Sequence, residues 1–209
     1  MSAVDKARED VMWAIKTICE KGYICATGGN FSARIEGKDE FVITPSSRPY
    51  DTMVKEDLVV VNMEGEKVSG EYKPSTETPI HRLIYVNRPD VNDVIHMHSK
   101  YATAVACLEG VKDGVPPFYF ELLGYFGGPL PLAPFAAPGS MELAEIVVDT
   151  MGDGMGVLME HHGAVGVGKT MKDAMTKCDI IEKSCEMYLA ILAAGKVKSI
   201  PELKGKPKA

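Results

Sequence analysis

Residues 91–99, VNDVIHMHS, restrict the fold of this chain more than any other stretch. Val91, Val94, Ile95 and Met97 mark a buried strand, and on it sit His96 and His98, one residue apart. Alternate side chains leave a strand on the same face, so both imidazoles project together. Neutral imidazole is the commonest protein metal ligand. The chain has only five histidines, His81, His96, His98, His161 and His162, and four of them fall in two clusters, HMH and HHG. The apolar run Val157-Leu158-Met159 leads into the second cluster and reads as another buried strand. Neighbouring strand residues face opposite ways, so at most one of His161 and His162 joins the HMH pair. Two histidines from one strand and one from another strand end give three protein ligands and leave a position open for water or substrate. HMH alone is also a common pattern of locally bonded strand histidines; the second cluster favours the metal.

At 209 residues the chain reads as one domain, 1–209, with enough length for a sizeable core. The net charge of −6 argues against general binding of nucleic acid or anionic membranes, though not against a local anion site. No apolar run approaches the roughly 18 residues of a membrane span. The charged start, MSAVDKARED, lacks the apolar core of a signal peptide. The five cysteines form no CxxC, so they read as reduced, mostly buried thiols of a cytoplasmic protein.

Residues 3–21 follow helical spacing through Val4, Ala7, Val11, Ala14, Ile15 and Ile18, with Gly22 as the stop. Next comes Ala26-Thr27-Gly28-Gly29-Asn30-Phe31-Ser32. Paired glycines bare the backbone N–H groups, and Thr27, Asn30 and Ser32 add side-chain donors, the chemistry of an anion cradle. A loop glycine pair is the plainer reading of that motif taken alone. Phe41–Ile43 is a short strand ended by the hydroxyl-rich turn Thr44-Pro45-Ser46-Ser47, and Leu58–Asn62 pairs antiparallel with Lys67–Ser69. Lys73-Pro74-Ser75-Thr76-Glu77-Thr78-Pro79 opens a helix, and a helix start bearing hydroxyls is a second anion device. Taken locally, Glu77 reads as a carboxylate favoured by the helix dipole, and His81 as structural. Ser99, Ser140 and Thr170 cap three further helices, and the methionine-rich stripe of the last is core packing. The aromatic stretch Tyr119–Tyr125 reads as packing, with Tyr119, Glu121 and Tyr125 as the residues in it that a site would use. From about residue 196 the tail is basic, without aromatic side chains, and is expected to be mobile.

The motifs TGGNFS, ITPSS, KPSTETPIH, HMHS and HHGAVGVG occur in that order. Together they resemble the class II aldolase/adducin family, whose best-known enzymes act on fuculose 1-phosphate and ribulose 5-phosphate, over roughly residues 3–195. The resemblance implies a three-layer α/β/α domain with a central, largely antiparallel sheet. It implies a homotetramer with active sites at subunit interfaces. It also implies one divalent metal per chain, zinc first and manganese or cobalt as alternatives, held by His96, His98 and His162. Glu77 matches the acid/base residue, which also touches the metal before substrate arrives. Thr27, Gly28, Asn30, Ser46, Ser47, Ser75 and Thr76 match positions that hold a sugar phosphate. The chain departs from the pattern in three ways. Ser47 replaces a common glycine, Thr76 replaces a serine, and no tyrosine follows Tyr188, which leaves Tyr119 or Glu121 as the second acid/base. The function implied is an aldolase that cleaves a small phosphorylated ketose to dihydroxyacetone phosphate and an aldehyde. A 4-epimerase, decarboxylase or dehydratase of the same family is the alternative. The three histidines and Glu77 argue against an adducin-like module without chemistry.

Overall fold

The structure is a computed structural model and describes residues 1–24 and 26–201; the readings on Cys25 and on residues 202–209 lie outside it. One eight-stranded sheet forms the middle layer, in the order β4-β3-β2-β1-β5-β8-β7-β6. Its strands are β1 (Asn30–Arg34), β2 (Glu40–Ile43), β3 (Val59–Asn62), β4 (Lys67–Ser69), β5 (Asp93–Met97), β6 (Leu132–Ala133), β7 (Gly156–Met159) and β8 (Gly163–Gly168). Every pairing is antiparallel except β6 with β7. The six helices are α1 (Ala3–Lys21), α2 (Thr78–Asn87), α3 (Lys100–Ala106), α4 (Phe120–Phe126), α5 (Met141–Met151) and α6 (Met171–Ala194).

Strand alternation divides the core in two. Phe31, Ala33, Ile95 and Met97 face α1, α3, α4 and α6, while Val94, Val165 and Val167 face α2 and α5. The result is the expected helix–sheet–helix sandwich, and it decides where the site lies. His96 and His98 share the parity of Val94, and Asn30 and Ser32 have the parity opposite to Phe31. All four therefore belong to the α2/α5 face, at the end of the sheet where α2 begins. Helix α2 starts at Thr78, with Glu77 at the N-cap position and Pro79 in the first turn, where its missing N–H costs nothing.

The other caps follow their sequences. Ser140 accepts from the Leu143 N–H and Thr170 from the Asp173 N–H. Ser99 departs from its expected role: it makes no side-chain cap to α3 and instead donates to Glu182 on α6 at 2.5 Å. Glu182 takes the N–H groups of Tyr101 and Ala102, so a carboxylate from another helix caps α3. The cysteines divide rather than being mostly buried: Cys178 and Cys185 are buried, whereas Cys19 and Cys107 are exposed. Residues 196–201 have no regular structure, but Ile200 donates its N–H to the Pro117 carbonyl and Val197 packs on the α6-side core. No helix among the described residues is long and apolar enough to cross a membrane.

Candidate active site

Four side chains meet where β5, the β7–β8 turn and the start of α2 come together. Glu77, His96, His98 and His162 each offer one donor atom, and these atoms all lie within 4.8 Å of one another. His96 Nε2 is 2.9 Å from Glu77 Oε2, His162 Nε2 is 3.3 Å from Glu77 Oε1, and the Nε2 atoms of His96 and His98 are 2.8 Å apart. His96 Nδ1 donates to the Ala164 carbonyl at 2.9 Å, which orients the ring and turns Nε2 toward the cluster.

The pair HHG is sorted by a turn rather than by strand alternation. His161 and His162 lie between β7 and β8, and His161 takes a left-handed backbone, φ 57°. That conformation sends His161 out to Phe135 and His162 in to Glu77. Asn adopts this conformation more readily than His does. Glu77 makes no side-chain cap to α2, although it occupies the N-cap position, so the dipole reading does not account for its carboxylate.

The donor set fits a divalent cation. Burial pushes the His98 imidazole down to about 3 and also lowers His162, with His96 reinforcing both shifts, so these rings are neutral near pH 7. Burial opposes ionisation of Glu77. The Asn30 amide and, whenever they are protonated, the imidazoles of His96 and His162 outweigh that effect and hold its carboxyl well below the usual range. Glu77 Oε1 is buried and has no hydrogen-bond partner. Lone pairs of neutral rings and a partnerless carboxylate oxygen converging on one point are stabilised there by a positive charge.

A cleft of about 210 Å³ adjoins the cluster. Its walls include all seven residues proposed for the phosphate: Thr27, Gly28 and Asn30, Ser46 and Ser47, and Ser75 and Thr76. The three segments, far apart in sequence, reach it because Pro45 bridges to Pro74 and the β1–β5 pairing sets Asn30 beside His96. Gly29 is obligatory: with φ 79°, a Cβ there would stand 2.6 Å from the His96 carbonyl oxygen. Ser47 has φ 58°, a left-handed backbone that glycine would adopt without a Cβ penalty. Asn30 is less available to an anion than its motif suggested. Its side chain is engaged at both ends, by Glu77 and by His81.

Tyr119 and Glu121 do not line this cleft in their own chain. The Tyr119 hydroxyl pairs with Ser184 at 2.9 Å and Glu121 lies 3.6 Å from Lys183, both on α6. His81, read from the sequence as structural, is fully buried two hydrogen bonds from Glu77 of the cluster. A larger cavity, about 650 Å³, lies at the opposite end of the sheet around Asp93, Lys6, Asp10 and Trp13, away from the histidines.

The family described as "Class II Aldolase and Adducin N-terminal domain" matches residues 9–189. Over 199 residues the chain is 31% identical to 5-deoxy-D-ribulose 1-phosphate aldolase of Bacillus thuringiensis serovar kurstaki, covering 95% of this chain and 92% of that protein. It is 28% identical to 3-oxo-tetronate 4-phosphate decarboxylase of Haemophilus influenzae, with 90% and 89% covered. The structure superposes on that of an L-fuculose 1-phosphate aldolase with a TM-score of 0.88 at 26% identity, over 94% of this chain and 91% of that one. With these matches spanning nearly its whole length, the chain belongs to the class II aldolase and adducin family.

Proposed function

We propose that the protein is a metal-dependent aldolase that cleaves a small phosphorylated ketose to dihydroxyacetone phosphate and an aldehyde. The observation that carries this reading is one carboxylate and three imidazoles converging beside a hydroxyl-lined cleft. A divalent ion held by His96, His98 and His162, zinc first, would supply Lewis-acid stabilisation of the charge that develops as an enediolate forms. The chain's own groups do the rest. Thr27, Gly28, Ser46, Ser47, Ser75 and Thr76 hold the phosphate through hydroxyls and backbone N–H groups, with Asn30 at the edge of that set. Anchoring the phosphate fixes the distance of the reacting carbons from Glu77. Glu77 carries the proton that the enediolate must receive or give up, and Oε1 is the oxygen free to do so. Tyr119 and Glu121, the candidates for a second acid/base, reach such a site only from a neighbouring subunit of a homo-oligomer, expected as a tetramer.

A second reading has a specific observation behind it. Among the described residues of one chain no tyrosine lines the cleft, and loss of carbon dioxide from a phosphorylated 3-oxo acid needs no group to deprotonate the substrate hydroxyl before the bond breaks. The relationship to 3-oxo-tetronate 4-phosphate decarboxylase points the same way. One experiment separates the two. The metal-loaded protein is given L-fuculose 1-phosphate, 5-deoxy-D-ribulose 1-phosphate and 3-oxo-tetronate 4-phosphate, and dihydroxyacetone phosphate and carbon dioxide are measured. Dihydroxyacetone phosphate from a ketose phosphate, with no carbon dioxide, is expected; carbon dioxide together with dihydroxyacetone phosphate from 3-oxo-tetronate 4-phosphate, and no cleavage of either ketose phosphate, would replace the aldolase with the decarboxylase.

A further inference from the structure

Strand β1 and helix α2 carry polar residues in matched periods. On β1 the positions facing α2 are Asn30 and Ser32, and on α2 Glu77, His81 and Tyr85 recur every four residues. Two strand residues advance about 6.6 Å and four helix residues about 6 Å, so the two series keep step along the interface. They are joined rung by rung. Tyr85 OH and Ser32 Oγ are 2.7 Å apart, Ser32 Oγ and His81 Nδ1 2.6 Å, His81 Nε2 and Asn30 Oδ1 2.5 Å, and Asn30 Nδ2 and Glu77 Oε2 3.0 Å. Ser32 and His81 have no solvent exposure, Tyr85 is 2% exposed, and Asn30 and Glu77 are 5% exposed. A polar file of this kind in an otherwise apolar interface has a high desolvation cost unless every member is paired.

The direction of the file follows from chemistry. The Asn30 carbonyl oxygen can only accept, so His81 carries its proton on Nε2. His81 Nδ1 is then an acceptor, Ser32 donates to it, and Tyr85 donates to Ser32. The Asn30 amide is fixed with its NH₂ toward Glu77. Burial lowers His81 to about 3, which agrees with a neutral ring. Every donor along the file points at Glu77 Oε2.

We propose that His81, with Ser32 and Tyr85 behind it, is a positioning residue that acts through Asn30. It holds Glu77 Oε2 as a permanent acceptor, so that proton transfer is confined to Oε1. A carboxylate with one oxygen tied to an amide donor does not rotate and does not protonate on that side. The proton is delivered or taken from a single point in the cluster. Asn30 is thereby a support of the acid/base group more than a ligand of the phosphate. The inference rests on the reading of Glu77 as the proton-transfer residue.

Two measurements test it, and they fail separately. The first needs no substrate: two-bond ¹H–¹⁵N spectra of ¹⁵N-histidine-labelled, metal-loaded protein report the His81 tautomer, assigned by the signal lost in His81→Gln or, if that variant does not fold, shifted in Tyr85→Phe. A neutral ring protonated on Nε2 is expected; protonation on Nδ1 would reverse the amide and overturn the proposal. The second is a double-mutant cycle on cleavage of L-fuculose 1-phosphate. Ser32→Ala should lower kcat about 10-fold at nearly constant KM in the parent, and less than about 2-fold when Glu77→Gln is already present. Tyr85→Phe, one step further out, should lower kcat about 2-fold. An equal loss in both backgrounds would make Ser32 merely structural and overturn the proposal with the aldolase reading intact. If the parent cleaves no phosphorylated ketose, the aldolase reading falls, and the tautomer still decides the relay.

Discussion

Glu77, at the start of α2, and Asp93, on β5, are both 5% exposed, and they ionise in opposite senses. Burial raises both. Glu77 ends far below the ordinary carboxylate range because His96, His162 and Asn30 surround it. Asp93, at the other end of β5, is pushed up to about 7 by burial and by Asp10, with Lys6 opposing only in part. No hydrogen bond reaches its carboxylate among the described residues. Lys6 itself is 3.6 Å from Asp10, and Arg34 donates to the carbonyls of Val91, Tyr85 and Arg88. Burial therefore does not set the charge of a carboxylate; the count of donors and positive charges within reach does. One end of the sheet surrounds a carboxylate with partners, and the other leaves a carboxylate with little to hold its charge.

The largest effect that could break this contrast is on the metal. About one divalent ion per chain is expected, the three-ligand stoichiometry. His96→Ala, His98→Ala and His162→Ala should each reduce it to none, while His161→Ala and His81→Ala should retain it. Elemental analysis decides, and metal retained in His98→Ala would remove that residue from the site.

Turnover comes next. Glu77→Gln should preserve the fold and lower kcat at least about 100-fold, the lower range for loss of an acid/base group. Near-normal turnover on an identified substrate would return Glu77 to a structural role and erase its distinction from Asp93.

Asp93 gives the complementary test. Its pKa in the folded chain, about 7, exceeds the ordinary 3.8, so between these values the native state binds more protons than the unfolded one. Stability falls as pH rises through that window, and the full penalty is present above about 7. Asp93→Asn should therefore stabilise the protein at pH 8, by roughly 1–3 kcal/mol, and change nothing below pH 4. Urea unfolding at the two pH values reads this directly; an equal effect at both would mean that the charge of Asp93 is not the cause.

The smallest effect sharpens the contrast through the backbone. Among the described residues, the positive-φ residues other than glycine, Ala26, Ser47 and His161, all lie in loops at the Glu77 end. Ser47→Gly should raise stability by about 0.5–1 kcal/mol, because glycine takes the left-handed conformation without a Cβ penalty. If Ser47 holds the phosphate, the same change raises KM. A more stable variant with unchanged KM would remove Ser47 from the phosphate set.

Much of this architecture is readable in the chain because strands and helices print their periods on sequence. The parity of Val94, His96 and His98 places two ligands on one face before any tertiary contact is known, and Gly22, Ser140 and Thr170 mark their helix ends by local chemistry alone. The TGG, PSS and STE segments announce anion-binding loops, but only the Pro45–Pro74 bridge and the β1–β5 register bring them to one cleft. Three further features are invisible locally. Glu182 caps a helix 80 residues away, His161 and His162 are parted by a left-handed turn rather than by strand alternation, and Tyr119 faces Ser184 instead of the cleft. Even the Glu77–His81–Tyr85 series looks like an ordinary helix face until Asn30 and Ser32 stand opposite it. Residue type and spacing determine which groups can point together, because backbone geometry is local. Which group gains a partner, and so whether a buried acid is charged like Glu77 or held toward neutrality like Asp93, is decided by contacts between distant segments, because pairing energies depend on distances that only the folded chain sets.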